Sequence, residues 1–353
     1  MHAYIKGIGY LSPQPTWDNS LFLEAVKSHH VNNMYCLAPD YKQYIRPIAL
    51  RRMSRLIRMG LTSALISLQD AGIDKPGAIV TGTGMGCVED TEKFLISVAE
   101  NKEEMLTPTA FIRSTHNTVG AHIAVHLKCH AYNFTYVHRG FSFESALADG
   151  RLLLAENAAD DVLVGGLDET SEHHYIITGR LNYWKVKKTH NLELLSSKTP
   201  GSIAGEGAAF FVLGKVPGVN DYGKLLDLDM FARPESEEIL HSRILTFLQG
   251  NAMQASDIDL LLMGYSGDVK FDPLYEGVSE KIFPGKPEAY FKHLSGEYHT
   301  SSAAGLWYGT RILQMQYVPE VLMKSTTSPG KINNILIYNN FRNEQHSLML
   351  IST

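Results

Sequence analysis

The sequence is poor in cysteine. Cys36, Cys87 and Cys129 are spread over 353 residues, and no CxxC pair occurs. That excludes a disulfide framework and a zinc ribbon, and it fits a reducing compartment. An excess of one charge is also missing. There are 32 basic against 37 acidic residues, a net charge of −5, with no long run of either sign. Nothing in this balance would drive nucleic-acid binding. No apolar run approaches the ~20 residues that span a bilayer, so no membrane insertion is expected. Met1–Tyr10 (MHAYIKGIGY) reads as a strand, without the charged and apolar regions of a leader. Low-complexity segments are absent. What is there is 44% hydrophobic and 20% charged. Such a chain is not disordered and can bury a large core. The expectation is a cytoplasmic α/β protein.

Strand and helix patterns alternate from end to end. Tyr4–Gly9 reads as a strand. Met53, Leu56, Ile57, Leu61, Ala64, Leu65 and Leu68 recur at helical spacing within Arg51–Ala71, and Gly72 is placed to cap that helix. Strands are expected at Ala78–Thr81, Tyr132–Tyr136, Asp161–Val164 and Gly207–Leu213, with a helix over Ser142–Glu156. Val216–Tyr222 is a turn-rich break containing Pro217, Gly218, Asn220 and Asp221. A second series follows: strands at Lys224–Phe231, Leu260–Gly264, Ile335–Tyr338 and Ser347–Ile351, helices at Ser236–Leu248 and Ser301–Met315. The pattern predicts two related halves, 1–216 and 217–353, with strands buried between helix layers.

Four stretches carry candidate chemistry. Gly82-Thr-Gly-Met-Gly follows a strand, as a dinucleotide-binding turn would, but GxGxxG fails at Cys87. A tight turn with close backbone approach is the favoured role. His122 and His126 share a helical face near Cys129 and His130, a possible metal half-site, yet no catalytic Glu lies between them and the helix is largely apolar. The bland reading, a packed pair and no metal, is preferred. Ser142 opens a helix after a strand, where free N–H groups would activate a nucleophile, with His299 as a base. The pattern there is GxSxE, lacking the last glycine of a nucleophile elbow, and a serine at a helix start is usually a cap. His299 heads the run Thr300-Ser-Ser-Ala-Ala-Gly305, whose small residues admit either a substrate or tight packing.

Several segments in the right order resemble the β-ketoacyl synthases of the thiolase superfamily. They are Arg51-Arg-Met-Ser-Arg, Gly82-Thr-Gly-Met-Gly, Ser114-Thr-His-Asn117-Thr-Val-Gly-Ala-His, Asp161-Val-Leu-Val-Gly-Gly-Leu-Asp, Gly205-Glu-Gly-Ala-Ala-Phe-Phe-Val-Leu and His299-Thr-Ser-Ser-Ala-Ala-Gly. The resemblance implies an α/β thiolase-like fold. Two βαβαβαββ-type halves would form a five-layered αβαβα arrangement, usually as a dimer. It implies no cofactor.

The departures bear on function. Ketosynthases of this branch use one Cys and two His. Counting back from Gly165-Gly166 puts the Cys position on Gly140, and the stretch Leu262-Met-Gly-Tyr-Ser-Gly267 resembles the family's HGTxTxxGD motif with Met263 at the first His position. His299 stands for the second His, and Lys292 lies too far upstream for the accompanying lysine. Phe341 matches the phenylalanine of the GFGG gate, without the flanking glycines. The resemblance therefore implies a catalytically inactive chain-length-factor-like subunit. Its partners would be an active ketosynthase and acyl carrier protein, in aryl polyene or flexirubin-type biosynthesis. It places Phe111, Ile112, Asn117, Phe134 and Phe141 at the product tunnel and partner interface. Two alternatives stay open: an acyl-processing hydrolase or acyltransferase using Ser142 and His299, and a homodimeric scaffold for acyl carrier protein.

Overall fold

Near-continuous apolar strands alternating with helices require a layered packing, because each strand must be covered on both faces. The computed structural model describes residues 2–353. Its first series runs β1 (Ala3–Leu11), α1 (Arg55–Ala71), β2 (Ala78–Gly82), α2 (Val88–Glu100), α3 (Pro108–Ser114), α4 (Thr118–Leu127), β3 (Tyr132–Tyr136), α5 (Ser142–Ala155), β4 (Asp161–Asp168), α6 (Glu172–Arg180) and β5 (Gly207–Gly214). The second runs β6 (Gly223–Ala232), α7 (Glu237–Gly250), β7 (Leu260–Met263), α8 (Asp272–Ile282), β8 (Glu288–Tyr290), α9 (Ser302–Met315), β9 (Asn334–Phe341) and β10 (Gln345–Ser352).

The strands form a 10-stranded sheet in the order β8-β7-β9-β10-β6-β1-β5-β4-β2-β3. Each series contributes five neighbours in one scheme: third, second, fourth, fifth, first. The directions match as well. The three outer strands are parallel, the fifth is antiparallel to the fourth, and the first is antiparallel to the fifth. The two runs meet at a short antiparallel seam, Ala3↔Leu225, Tyr4↔Lys224 and Ile5↔Gly223. Three large apolar cores pack the helices against this sheet. α1 and α4 cover one sheet face through Leu56, Ile57, Leu61 and Val119. α5 and α9 fill the middle through Phe143, Leu147, Ala303, Ala304 and Trp307. α7 and α8 cover the far side through Leu240, Ile244, Tyr275 and Val278. The thiolase-like fold expected from the sequence is the fold observed.

Boundaries moved by a few residues. α1 begins at Arg55 behind the N-cap Ser54 rather than at Arg51, because the chain makes a separate turn over Pro47–Leu50. Gly72 caps it at φ 68, in the left-handed region. The two ends of the sheet differ. At one end β8 is covered by a crossing segment, with Lys324 N and Ser325 N both donating to Glu288 O at 2.8 and 3.2 Å. At the other end β3 pairs on one side only, with β2. Tyr132 and Phe134 are 44% and 47% exposed there, with their rings stacked along the strand.

Candidate functional site

Strand ends and helix starts converge at one point between the two halves. β3 leads through a one-turn segment, Arg139–Phe141, directly into α5. Gly140 N donates to Gln345 Oε1 at 2.8 Å, and Gln345 Nε2 donates to His138 O at 3.1 Å. A Cβ added at Gly140 would lie 2.8 Å from Phe341 Cβ and 3.0 Å from Gln345 Oε1. Two side chains from the β9–β10 hairpin thus fill the space in front of position 140. Phe341 in turn packs on His299, with ring centroids 4.8 Å apart. Gly140, Phe341 and His299 are therefore brought together.

A buried carboxylate holds this cluster. Asp168 Oδ1, at the end of β4, accepts from Thr83 Oγ1, Gly84 N and Met85 N at 3.0, 2.8 and 3.2 Å. Its Oδ2 accepts from Thr300 N and Oγ1 at 3.0 and 2.8 Å. The Gly82-Thr-Gly-Met-Gly turn is thereby tied to the His299 segment. Gly84 is required by close approach, since a Cβ there would sit 2.4 Å from His299 Cβ. Burial pushes His299 below its ordinary value, with Arg139 adding to the shift and Asp168 opposing it. The imidazole is neutral near pH 7 and makes no hydrogen bond among the described residues.

Met263 lies elsewhere. It is fully buried in the outer core with Leu261, Tyr275 and Tyr338. The next residue faces the site, because side chains alternate along a strand. A Cβ on Gly264 would lie 2.5 Å from Asn339 Oδ1 and 3.2 Å from Lys292 Cε. Lys292, too far upstream by spacing, reaches this region after all. Its Nζ is buried, 2.7 Å from Glu297 Oε2 and 3.3 Å from Asn340 O. Glu297 Oε1 accepts from Ser301 Oγ at 3.1 Å.

The candidate nucleophiles are occupied or remote. Ser142 Oγ donates to Arg139 O at 2.7 Å and accepts from His138 N at 2.8 Å, so it works as a turn and helix cap. Burial pushes the Cys87 thiol up to about 12. Cys36 Sγ donates to Glu206 O at 3.3 Å. His122 and His126 join no group of three or more metal-ligating side chains among the described residues.

The β9–β10 turn lies beside the cluster, whose His299 keeps partial exposure. The β9–β10 turn places Arg342 and Asn343 at φ 56 and 55. Non-glycine residues there cost about 1–2 kcal/mol each. Contacts offset that cost. The Arg342 guanidinium lies 3.6 Å above the Tyr183 ring and 5.2 Å from Phe271. Asn343 N donates to Asn340 Oδ1 at 2.5 Å, and Asn343 Oδ1 lies 3.0 Å from His346 Nε2. A separate crevice behind the turn, between Tyr183, Ser266, Asn340 and Arg342, holds about 10 Å³, about one water or less.

Of the expected tunnel and interface residues, Phe111 and Ile112 are 57% and 62% exposed on α3. Asn117 and Phe134 are exposed too. Phe141 is buried instead, against the His138 ring at 5.4 Å. Sequence reasoning missed Gln345 and the partners of Arg55. Arg55 bonds Glu206 and donates to Thr170 O at 2.9 Å, while Glu206 accepts from Cys36 N and Thr170 N. Nearby, burial pushes Glu169 from 4.5 up to about 8, against the pull of Arg55. The fold thus favours the protonated carboxyl, a contribution complete below pH 4.5 and lost as the pH rises towards 8. Glu169→Gln should flatten that decline, read as urea midpoints at pH 5 and 8. An unchanged slope would assign it to other groups.

A sequence model of the β-ketoacyl synthase N-terminal domain matches residues 7–216, more than half of the chain. No curated protein matches. Solved structures of similar fold include the ishigamide ketosynthase/chain length factor, with a TM-score of 0.82 at 14% identity over 100% of this chain and 99% of that one. AntDE:AntF, a type II PKS acyl-carrier protein in complex with its ketosynthase bound to the hexaketide, gives 0.78 at 13% identity over 100% and 99%. The ketosynthase ApeO in complex with its chain length factor ApeC from Xenorhabdus doucetiae gives 0.74 at 15% identity over 99% and 98%.

Proposed function

The chain belongs to the β-ketoacyl synthase family, and from that premise we propose that it is a non-catalytic, chain-length-factor-like subunit. It pairs with an active ketosynthase and bounds the acyl tunnel of the complex. The observation that carries this reading is at position 140. Gly140, which the resemblance puts at the family's nucleophile position, has no side chain, and Phe341 and Gln345 fill the space a thiol there would need. The Arg342 turn, held over the Tyr183 ring, fixes the hairpin that carries Phe341 and Gln345. Chain length factors occur in the complexes of similar fold. The pathway class we favour is aryl polyene or flexirubin-type synthesis on acyl carrier protein, in a cytoplasmic complex. No helix among the described residues is long and apolar enough to cross a membrane.

The pairing surface is the bare β3 edge with α4, through Phe134 and Val125. α3 is the segment that would reach the partner's acyl pocket. It is held to α2 and α4 by a Phe94–Phe111 ring contact at 5.6 Å and by Thr91 Oγ1 and Thr118 Oγ1 donating to Ser114 O and Ile112 O at 3.2 and 2.9 Å, and Arg113 Nη2 donates to Arg52 O at 2.7 Å. Phe111 and Ile112 are exposed, as residues meant for another subunit's cavity would be. A bulky group at the end of a tunnel stops extension sterically, at about 1–3 kcal/mol per overfilled step.

The test of function is intact-protein mass spectrometry after incubation with acylated carrier protein. No acyl adduct is expected on this chain, and a stable adduct on Ser142 would overturn the reading in favour of a hydrolase. Co-expressed with its ketosynthase, Phe111→Ala should lengthen the product by one or more two-carbon units. An unchanged length in an intact complex would put the stop on the other subunit.

A further inference from the structure

The pairing face has an unusual charge. From Met105 to Phe143 the sequence has no Asp or Glu, yet it carries Arg113, Lys128, Arg139 and five histidines. This stretch supplies α3, α4 and β3. The neighbouring stretch 41–69 also lacks acids and holds Lys42, Arg46, Arg51 and Arg52, all exposed. Carboxylates near the edge are already engaged. Asp149 accepts from Tyr132 Oη at 3.0 Å, and Glu344 lies 3.8 Å from Arg139. On α4, Val125 is 78% exposed beside the exposed His126, and Lys128 follows at the helix end, also exposed.

A two-fold self-pairing brings each residue near the axis against its own copy. A face with a surplus of cations then meets its own copy, and like charges juxtaposed at an interface oppose association. We propose that the β3–α4 face is charged against self-pairing and selects a different chain of the same fold, whose matching helix carries carboxylates. The apolar Phe134 and Val125 supply attraction that is blind to identity, and the surrounding cations supply the discrimination. This rests on the pairing surface proposed above.

The test needs no natural partner. A charge-reversed chain, His126→Glu/Lys128→Glu, is mixed with the native chain at 50 mM salt, and the species are resolved by native mass spectrometry with a mass tag. The mixed pair should be about tenfold tighter than the native self-pair. That preference should collapse near 1 M salt, where the screening length falls to about 3 Å. A native self-pair as tight as the mixed pair, or a preference indifferent to salt, would overturn the proposal. Phe134→Asp separates the two levels. If it abolishes a salt-indifferent native dimer, the pairing face stands and the charge selection falls. If it leaves mixed pairs untouched, or if no pair forms at all, this face is not the interface and both fall.

Discussion

Phe134→Asp should leave the chain without its partner. β3 ends the sheet with one side unpaired, and Phe134 stands in the middle of its exposed aromatic row, with the Tyr136 ring 5.0 Å away. Strand-edge pairing with a second subunit would bury this residue and extend the ladder. A carboxylate there has no cation on β3 itself, and an uncompensated buried charge costs about 3–5 kcal/mol. Affinity should fall by two orders of magnitude or more. The fold itself should survive, because Phe134 is 47% exposed in the single chain. Co-purification with the ketosynthase, together with the melting temperature of the variant, checks both statements. Normal pairing by a well-folded variant would move the interface elsewhere.

The second expectation concerns position 140. Gly140→Cys alone should give a poorly reactive thiol. Its Cβ would press on Phe341 Cβ at 2.8 Å and on Gln345 Oε1 at 3.0 Å. The side-chain amide of Gln345 cannot leave without dropping its bonds to Gly140 N and His138 O. Overpacking of this kind costs about 1–3 kcal/mol. Removing the Gln345 side chain as well, in Gly140→Cys/Gln345→Gly, should open one side of the thiol in the turn that leads into α5. There the helix N-terminus lowers a thiol's pKa and raises its reactivity. Alkylation by iodoacetamide at that residue, followed by peptide mapping to separate it from Cys36, Cys87 and Cys129, should be at least about tenfold faster in the double variant. Equal rates would show that Gln345 does not guard the position.

The layered fold was legible because it is written locally. The apolar strands and the glycine turns recur in the same sequence in both series, and the strand order repeats with them. Gly140, His299 and Phe341 were legible for the same reason, since each sits at the end or start of an element that the pattern locates. Met263 shows the limit of matching a motif along a strand. Neighbouring residues on a strand face opposite ways, so a register one residue off exchanges an outer-core methionine for Gly264, which faces Lys292. Lys292 shows a second limit. A turn at Gly296, φ 73, takes up the added spacing and returns the ammonium to Asn340. Gln345 was not legible at all. It acts 205 residues away from Gly140, across the junction of the two series, and no local pattern records such a contact. The loss of glycine at Arg342 and Asn343 was visible. Its meaning was not, because only the structure shows that both residues take left-handed φ values.

The seam between the two series also sets an order of events during synthesis. β1 is made first, yet its partners are Gly214 back to Ala208 on one side and Gly223 to Leu225 on the other. A ribosome adding about 5–20 residues per second needs roughly 10–40 s to travel that far. Through that time Ile5 and Ile8, which end fully buried, have no strand to pair with. The earliest cover for β1 is α1, whose Ser63 Oγ donates to Gly9 O at 2.8 Å. A nascent chain therefore carries a β1–α1 unit with both strand edges open until residues 208–225 have been made. Non-local closure of this kind is slow and exposes apolar edges to aggregation.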